Sequence, residues 1–198
     1  TSSGKTFLAE TLFLYHALRG SNAVLLVPTK ALANQRYQQL RERYAPHGFD
    51  IRLSTRDHPF DDPRILEGRF HLAIVIYEKM RSLLAQRGAF LSSLGACVLD
   101  EIHYLFEPAR GPDLEILLSR LREETALPIL GLSAMVSSPE VAEWLGARSI
   151  VEIRRPVELR QGVLCRGRFA YKEFNSGREG EERLFGSDTA DEGEAMLE

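Results

Sequence analysis

Long apolar runs are missing from this 198-residue sequence. No stretch approaches the roughly 20 residues that a membrane helix requires, and the first residues are not the charged start and apolar core of a secretion signal. A membrane partner is therefore not expected. Cysteine is scarce: Cys97 and Cys165 stand alone, without CxxC or other ligand spacing, which argues against a disulfide framework or a zinc site. A reducing compartment follows, the cytoplasm, or the nucleus in a eukaryote. Lysine is scarce too, at positions 5, 30, 79 and 172 only, the other 21 basic residues being arginine. Nor is there a positive excess. The formal net charge of −3 has the wrong sign for a chain that grips phosphate. That average hides a division, because residues 179 to 198 hold eight acids against Arg183, a net of −7, which leaves +4 for the rest. This acidic end has few large apolar side chains, and mobility is expected of it.

What is present is the 44% apolar and 27% charged make-up of a folded domain. Short β-rich runs at 23–27, 51–54, 71–76, 96–99 and 129–132 alternate with helical patterns at about 5–19, 30–44, 77–87, 113–124 and 139–145. Such alternation predicts an α/β fold with a mostly parallel sheet, and continuously apolar strands predict helices on both faces. Chemistry should then lie just beyond the carboxyl ends of the strands. From Arg154 onward the rhythm changes to extended segments at 159–165 and 168–172, so residues 1–153 are read as one domain and 154–198 as a linker and the start of a second.

Thr1-Ser2-Ser3-Gly4-Lys5-Thr6 opens directly into a helical pattern. A glycine there lets backbone approach phosphate, a lysine supplies a point charge, a threonine hydroxyl can hold Mg²⁺, and the helix end adds its dipole. This reads as the second half of a GxxxxGK[ST] loop whose first glycine and strand would precede residue 1. The string alone is equally compatible with an ordinary turn. Asp100-Glu101-Ile102-His103 supplies the second half of the chemistry: after an apolar strand, Asp100 can hold Mg²⁺ and Glu101 can orient or deprotonate a water. Strand-end acids also serve as plain caps, but the pairing with Lys5 and Thr6 in one α/β pattern favours an ATP site.

These segments, with Ser133-Ala134-Met135 after the fifth apolar run, resemble motifs I, II and III of the first RecA-like domain of a superfamily-two DExH-box helicase. Finer similarities point to the superkiller-like branch, which includes DNA repair helicases and eukaryotic RNA helicases. Pro28-Thr29-Lys30-Ala31-Leu32-Ala33 with Gln35 resembles motif Ia. Ser54-Thr55-Arg56-Asp57 resembles a Ser-Thr-Gly-Asp segment, Ile76-Tyr77-Glu78-Lys79 a Thr-Tyr-Glu-Lys segment, and Arg155-Pro156-Val157-Glu158-Leu159 the passage into a second domain. Three departures stand out: Arg56 replaces glycine, Ile76 replaces threonine, and Met135 replaces the threonine of Ser-Ala-Thr.

The resemblance implies a RecA-like P-loop NTPase that binds ATP through Thr1, Ser2, Ser3, Gly4, Lys5 and Thr6. It further implies that Thr6 and Asp100 hold Mg²⁺, that Lys5, Asp100 and Glu101 act in hydrolysis, and that His103 with Ser133 couples nucleotide state to domain movement. It implies DNA or RNA as partner, met by Pro28, Thr29, Lys30, Gln35, Ser54, Thr55, Tyr77 and Lys79, and a second RecA-like domain of the same chain that supplies arginine fingers. From the residues alone the nucleic-acid contacts are less specific: Thr29 also fits a helix cap, and Lys79 with Arg81 fits a solvated face. His16, His47, His58 and His71 are read as structural or surface residues, and Tyr15, Tyr37, Tyr44 and Trp144 as packing. A P-loop ATPase that does not act on nucleic acid and a non-catalytic interaction scaffold are the alternatives. The scaffold conflicts with the presence of Lys5, Asp100 and Glu101 together. Without a second motor domain, these 198 residues are expected to bind ATP weakly and hydrolyse it negligibly.

Overall fold

The computed structural model describes residues 4–86, 89–125, 127–134, 139–152, 155 and 157–185. These fall into two compact units, one spanning Gly4–Arg148 and the other taking in the described residues from Ser149 onward. Arg154, where the sequence pattern changes, lies outside the described residues, as do Thr1–Ser3 and Met135.

In the first unit, strands β1 (Asn22–Val27), β2 (Ile51–Ser54), β3 (Leu72–Ile76), β4 (Leu94–Leu99) and β5 (Ile129–Gly131) form one parallel sheet in the order β2-β3-β1-β4-β5. Helices α1 (Lys5–Ala17), α2 (Lys30–Tyr44), α3 (Asp62–Leu66), α4 (Tyr77–Ala85), α5 (Phe90–Ser93), α6 (Gly111–Glu124) and α7 (Pro139–Leu145) belong to the same unit. The period of two along each strand divides the core. Leu25, Ile74 and Val98 pack with Phe13 of α1 and Leu40 of α2. Leu26, Val75 and Leu99 pack with Met80 of α4 and with Leu114, Leu117, Leu118 and Leu121 of α6. Those four leucines are spaced to fall on one helix face. Central β1 is buried along its whole length, as a doubly covered parallel strand must be.

This order puts a reversal between β1 and β4. From β1 the chain crosses to β2 on one side, and from β3 it returns past β1 to β4 on the other. The carboxyl ends of β1 and β4 therefore flank the crevice where open α/β sheets hold ligands, and these ends carry Pro28-Thr29 and Asp100-Glu101. The α1 end of the unit is fixed by a T-shaped contact between Phe13 and Tyr44, with ring centroids 5.5 Å apart, and by Glu10 Oε2, which accepts 2.5 Å hydrogen bonds from Arg43 Nη1 and Tyr44 Oη. No helix of the described residues is long and apolar enough to cross a membrane.

The second unit holds an antiparallel sheet of β6 (Arg160–Cys165), β7 (Arg168–Glu173) and β8 (Glu179–Arg183). Arg166 and Gly167, both with positive φ, form the two-residue turn that pairs Cys165 with Arg168, as a tight hairpin requires. The start of the acidic end, expected to be mobile, forms strand β8, and residues 186–198 lie outside the described residues. Glu179 and Glu181 accept from Lys172 Nζ at 3.2 Å and Arg168 Nη1 at 3.4 Å, and Glu182 pairs with Arg160. The sequence count of like charges overlooked the cations one strand away.

Candidate functional site

The acidic turn after β4 is clamped from several directions. Asp100 donates its N–H to Leu26 O at 2.9 Å, Ile102 N–H reaches Leu132 O at 2.8 Å, and Tyr104 N–H reaches Glu101 O at 3.0 Å. The phenol of Tyr77 donates to the carbonyl of Asp100. Between these anchors Glu101 takes a left-handed conformation, φ 58° and ψ 49°, which costs about 1–3 kcal/mol for a non-glycine residue. The turn sends two adjacent acids to different cavities. Asp100 lines one with Thr6, Glu10, Arg36 and Gln39; Glu101 lines another with Pro28, Thr29, Gln35, His103 and Ala134. The second is an open cleft of about 550 Å³, within the ordinary size range of ligand sites.

On the Asp100 side, Gly4 has φ 76° and precedes α1, whose first turn receives no side-chain cap from it. Glycine is the residue that adopts this conformation without penalty. The amides and positive end of a 13-residue helix thus open behind Lys5 and Thr6. Asp100 is buried, with Arg36 Nη2 3.3 Å from its Oδ2. No cluster of three or more His, Cys, Asp or Glu that could cage a metal occurs among the described residues. The Thr6 hydroxyl and the Asp100 carboxylate are oxygen donors of the hard type that suits Mg²⁺, in a cavity otherwise lined largely by Phe13, Leu25, Leu40, Val98 and Leu132 and with Arg36 in the place beside Asp100 that the ion would take.

On the Glu101 side, His103 Nδ1 lies 3.1 Å from Glu101 Oε2 and 3.4 Å from Ser133 Oγ. The structure thus brings together all three groups expected to link hydrolysis with movement. Glu101 Oε2 is buried, with His103 Nδ1 as a polar side-chain neighbour among the described residues.

The expected nucleic-acid contacts divide. Thr29 caps α2, its Oγ1 accepting from Leu32 N–H at 3.2 Å, while Pro28 is buried and its carbonyl accepts from Arg110 Nη1 at 3.2 Å. Lys30 is exposed and pairs with Asp57 at 2.6 Å. Gln35 shares the cleft with Glu101. Ser54, Thr55 and Tyr77, also expected at the strand, are 0%, 2% and 4% exposed. Ser54 Oγ donates to Asp62 Oδ1 at 2.5 Å, and the other carboxylate oxygen of Asp62 pairs with Lys79, itself only 14% exposed. Burial also holds the Tyr77 phenol well above its ordinary range, with the Asp100 and Glu101 charges adding to the effect.

Arg36 and Asp62 escape sequence reasoning. Arg36 sits in a helix full of polar residues, and packing of α2 on the sheet brings it to Asp100; Asp62 opens α3 and meets Ser54 and Lys79. The order of small polar residues offered no signal for either.

The family model described as DEAD/DEAH box helicase matches residues 1–144. The chain is 38% identical over 170 residues to the ATP-dependent DNA helicase Hel308 of Methanocaldococcus jannaschii, covering 82% of this chain and 14% of that protein. It is 41% identical over 181 residues to Hel308 of Pyrobaculum calidifontis, covering 90% and 25%. With Hel308 of Methanocella arvoryzae the identity is 34% over 207 aligned positions, covering all of this chain and 28% of the relative. The chain thus spans between about a seventh and somewhat over a quarter of the length of these relatives.

Proposed function

The chain belongs to the DEAD/DEAH box helicase family, and on that premise we propose that it is the first RecA-like motor domain of an ATP-dependent nucleic-acid helicase or translocase, with residues 1–153 as the motor and 154–198 leading into a second RecA-like domain. The relatives are named DNA helicases, which supports DNA as the strand it moves along. The single observation that carries the reading is the strained turn that aims Asp100 at the cavity of Thr6 and Glu101 at the cleft of His103.

The roles follow from that geometry. Lys5, the amides that open α1 and the loop Thr1–Thr6 bind and neutralise the ATP phosphates. Thr6 and Asp100 would hold Mg²⁺, which when bound supplies further charge neutralisation on those phosphates. Glu101 orients the attacking water and takes its proton. His103 and Ser133 read the state of Glu101 across 3.1 and 3.4 Å contacts and pass it to the cleft that Pro28, Thr29 and Gln35 share. Lys30, at the start of α2, meets strand phosphate once it leaves Asp57.

The test is ATP turnover by a protein that joins this chain to a second RecA-like domain, measured with and without single-stranded DNA. Stimulation by DNA is expected. Turnover indifferent to DNA and RNA would favour an ATPase with another task, and failure to bind ATP at all would favour a scaffold.

A further inference from the structure

The peptide between Asp100 and Glu101 is the joint on which the two acids diverge, and its carbonyl is held by a side chain from a different layer of the fold. Tyr77 opens α4, is 4% exposed, and donates its phenol to Asp100 O. Two residues further along the same helix Lys79 is paired with Asp62, which also accepts from Ser54 Oγ at 2.5 Å. The other restraints on the turn come from backbone: Leu26, Leu132 and Tyr104. Among the described residues Tyr77 is the side chain that hydrogen-bonds this peptide, and it belongs to the helix that carries an expected strand-facing lysine.

We propose that Tyr77 is a positioning residue for Glu101: its hydroxyl fixes the Asp100–Glu101 peptide plane, keeps Glu101 left-handed, and links the setting of α4 to the direction in which the Glu101 carboxylate faces. A carbonyl in this position without a donor would be a buried unsatisfied acceptor, so the turn relaxes when the donor is lost. Movement of α4, for example when Lys79 exchanges Asp62 for a strand phosphate, would reach Glu101 through this bond. The consequence for turnover rests on the ATPase reading given above, whereas the structural link does not.

The experiment compares this chain with its Tyr77→Phe variant, which keeps the ring and removes only the hydroxyl. Amide hydrogen exchange is read at Ile102 and Tyr104, whose acceptors bracket Glu101, and at Leu25 and Val98 in the sheet. Exchange at Ile102 and Tyr104 is expected to quicken by about tenfold, the scale of one buried hydrogen bond, with Leu25 and Val98 unchanged and Mg²⁺·ATP affinity retained. Unchanged exchange at Ile102 and Tyr104, or an equal rise at all four positions, overturns the proposal; the second result marks a merely structural tyrosine. In the two-domain protein, kcat should fall about tenfold at constant KM, and a fall in neither contradicts the link to hydrolysis. If unaltered chain fails to bind Mg²⁺·ATP, the ATPase reading falls while the exchange result still decides the role of Tyr77.

Discussion

Lys5 and Lys79 carry the same expected task, meeting phosphate, yet their surroundings differ. Lys5 opens α1 behind a left-handed glycine, at the positive end of a 13-residue helix. Lys79 sits 14% exposed against the carboxylate of Asp62. Lys30 repeats the second pattern in the open, paired with Asp57 at 2.6 Å with both side chains well exposed. On the proposed reading, the nucleotide phosphates meet a helix end, whereas a strand phosphate would replace Asp62 and Asp57 at these two lysines.

The largest effect that can break this contrast is at the hydrolytic acid. Glu101→Gln in the two-domain protein should lower turnover by at least about a hundredfold, the usual loss on removing a positioned base, with Mg²⁺·ATP binding kept; unchanged turnover removes Glu101 from the mechanism. Lys5→Ala should weaken ATP binding by this chain about tenfold or more, since a charge-assisted hydrogen bond to phosphate contributes ~1.5–3 kcal/mol, measured by titration calorimetry or a fluorescent nucleotide.

On the strand side, Asp62→Asn removes the charge that faces Lys79 and perturbs the acceptor of buried Ser54. It should cost about 1–3 kcal/mol in urea unfolding while single-stranded DNA binding at low salt strengthens a few-fold, as an unpaired lysine becomes available. Weaker DNA binding at equal stability would mean that Asp62 holds Lys79 in its binding position. The smallest effect is expected at Asp57→Asn, below about 1 kcal/mol, because both partners of that pair are solvated. A larger loss would show that the β2–α3 loop is more rigid than its exposure implies.

The parts of this site that were legible from sequence are those that physics ties to local pattern. The five strands appear within two residues of their apolar runs, since continuous burial in a parallel sheet leaves an uninterrupted signature. The placement of Gly4-Lys5-Thr6 at a helix start and of Asp100-Glu101 at a strand end was legible because an apolar run followed by acids, and a glycine before a helical pattern, mark those boundaries. What was not legible depends on burial direction. Ser54 and Tyr77 are polar residues beside an expected strand contact, and nothing in their spacing says that the hydroxyls turn inward, to Asp62 and to Asp100 O. Glu179–Arg183 is the same case with charge: Arg160, Arg168 and Lys172 become its partners only through strand pairing.

The central claim is that one strained peptide divides adjacent acids between two tasks, and paired variants test it most directly. Mg²⁺-dependent ATP binding by this chain should be lost in Asp100→Asn and preserved in Glu101→Gln, because only Asp100 shares a cavity with Thr6. Equal loss in both variants, or no loss in Asp100→Asn, would contradict the division.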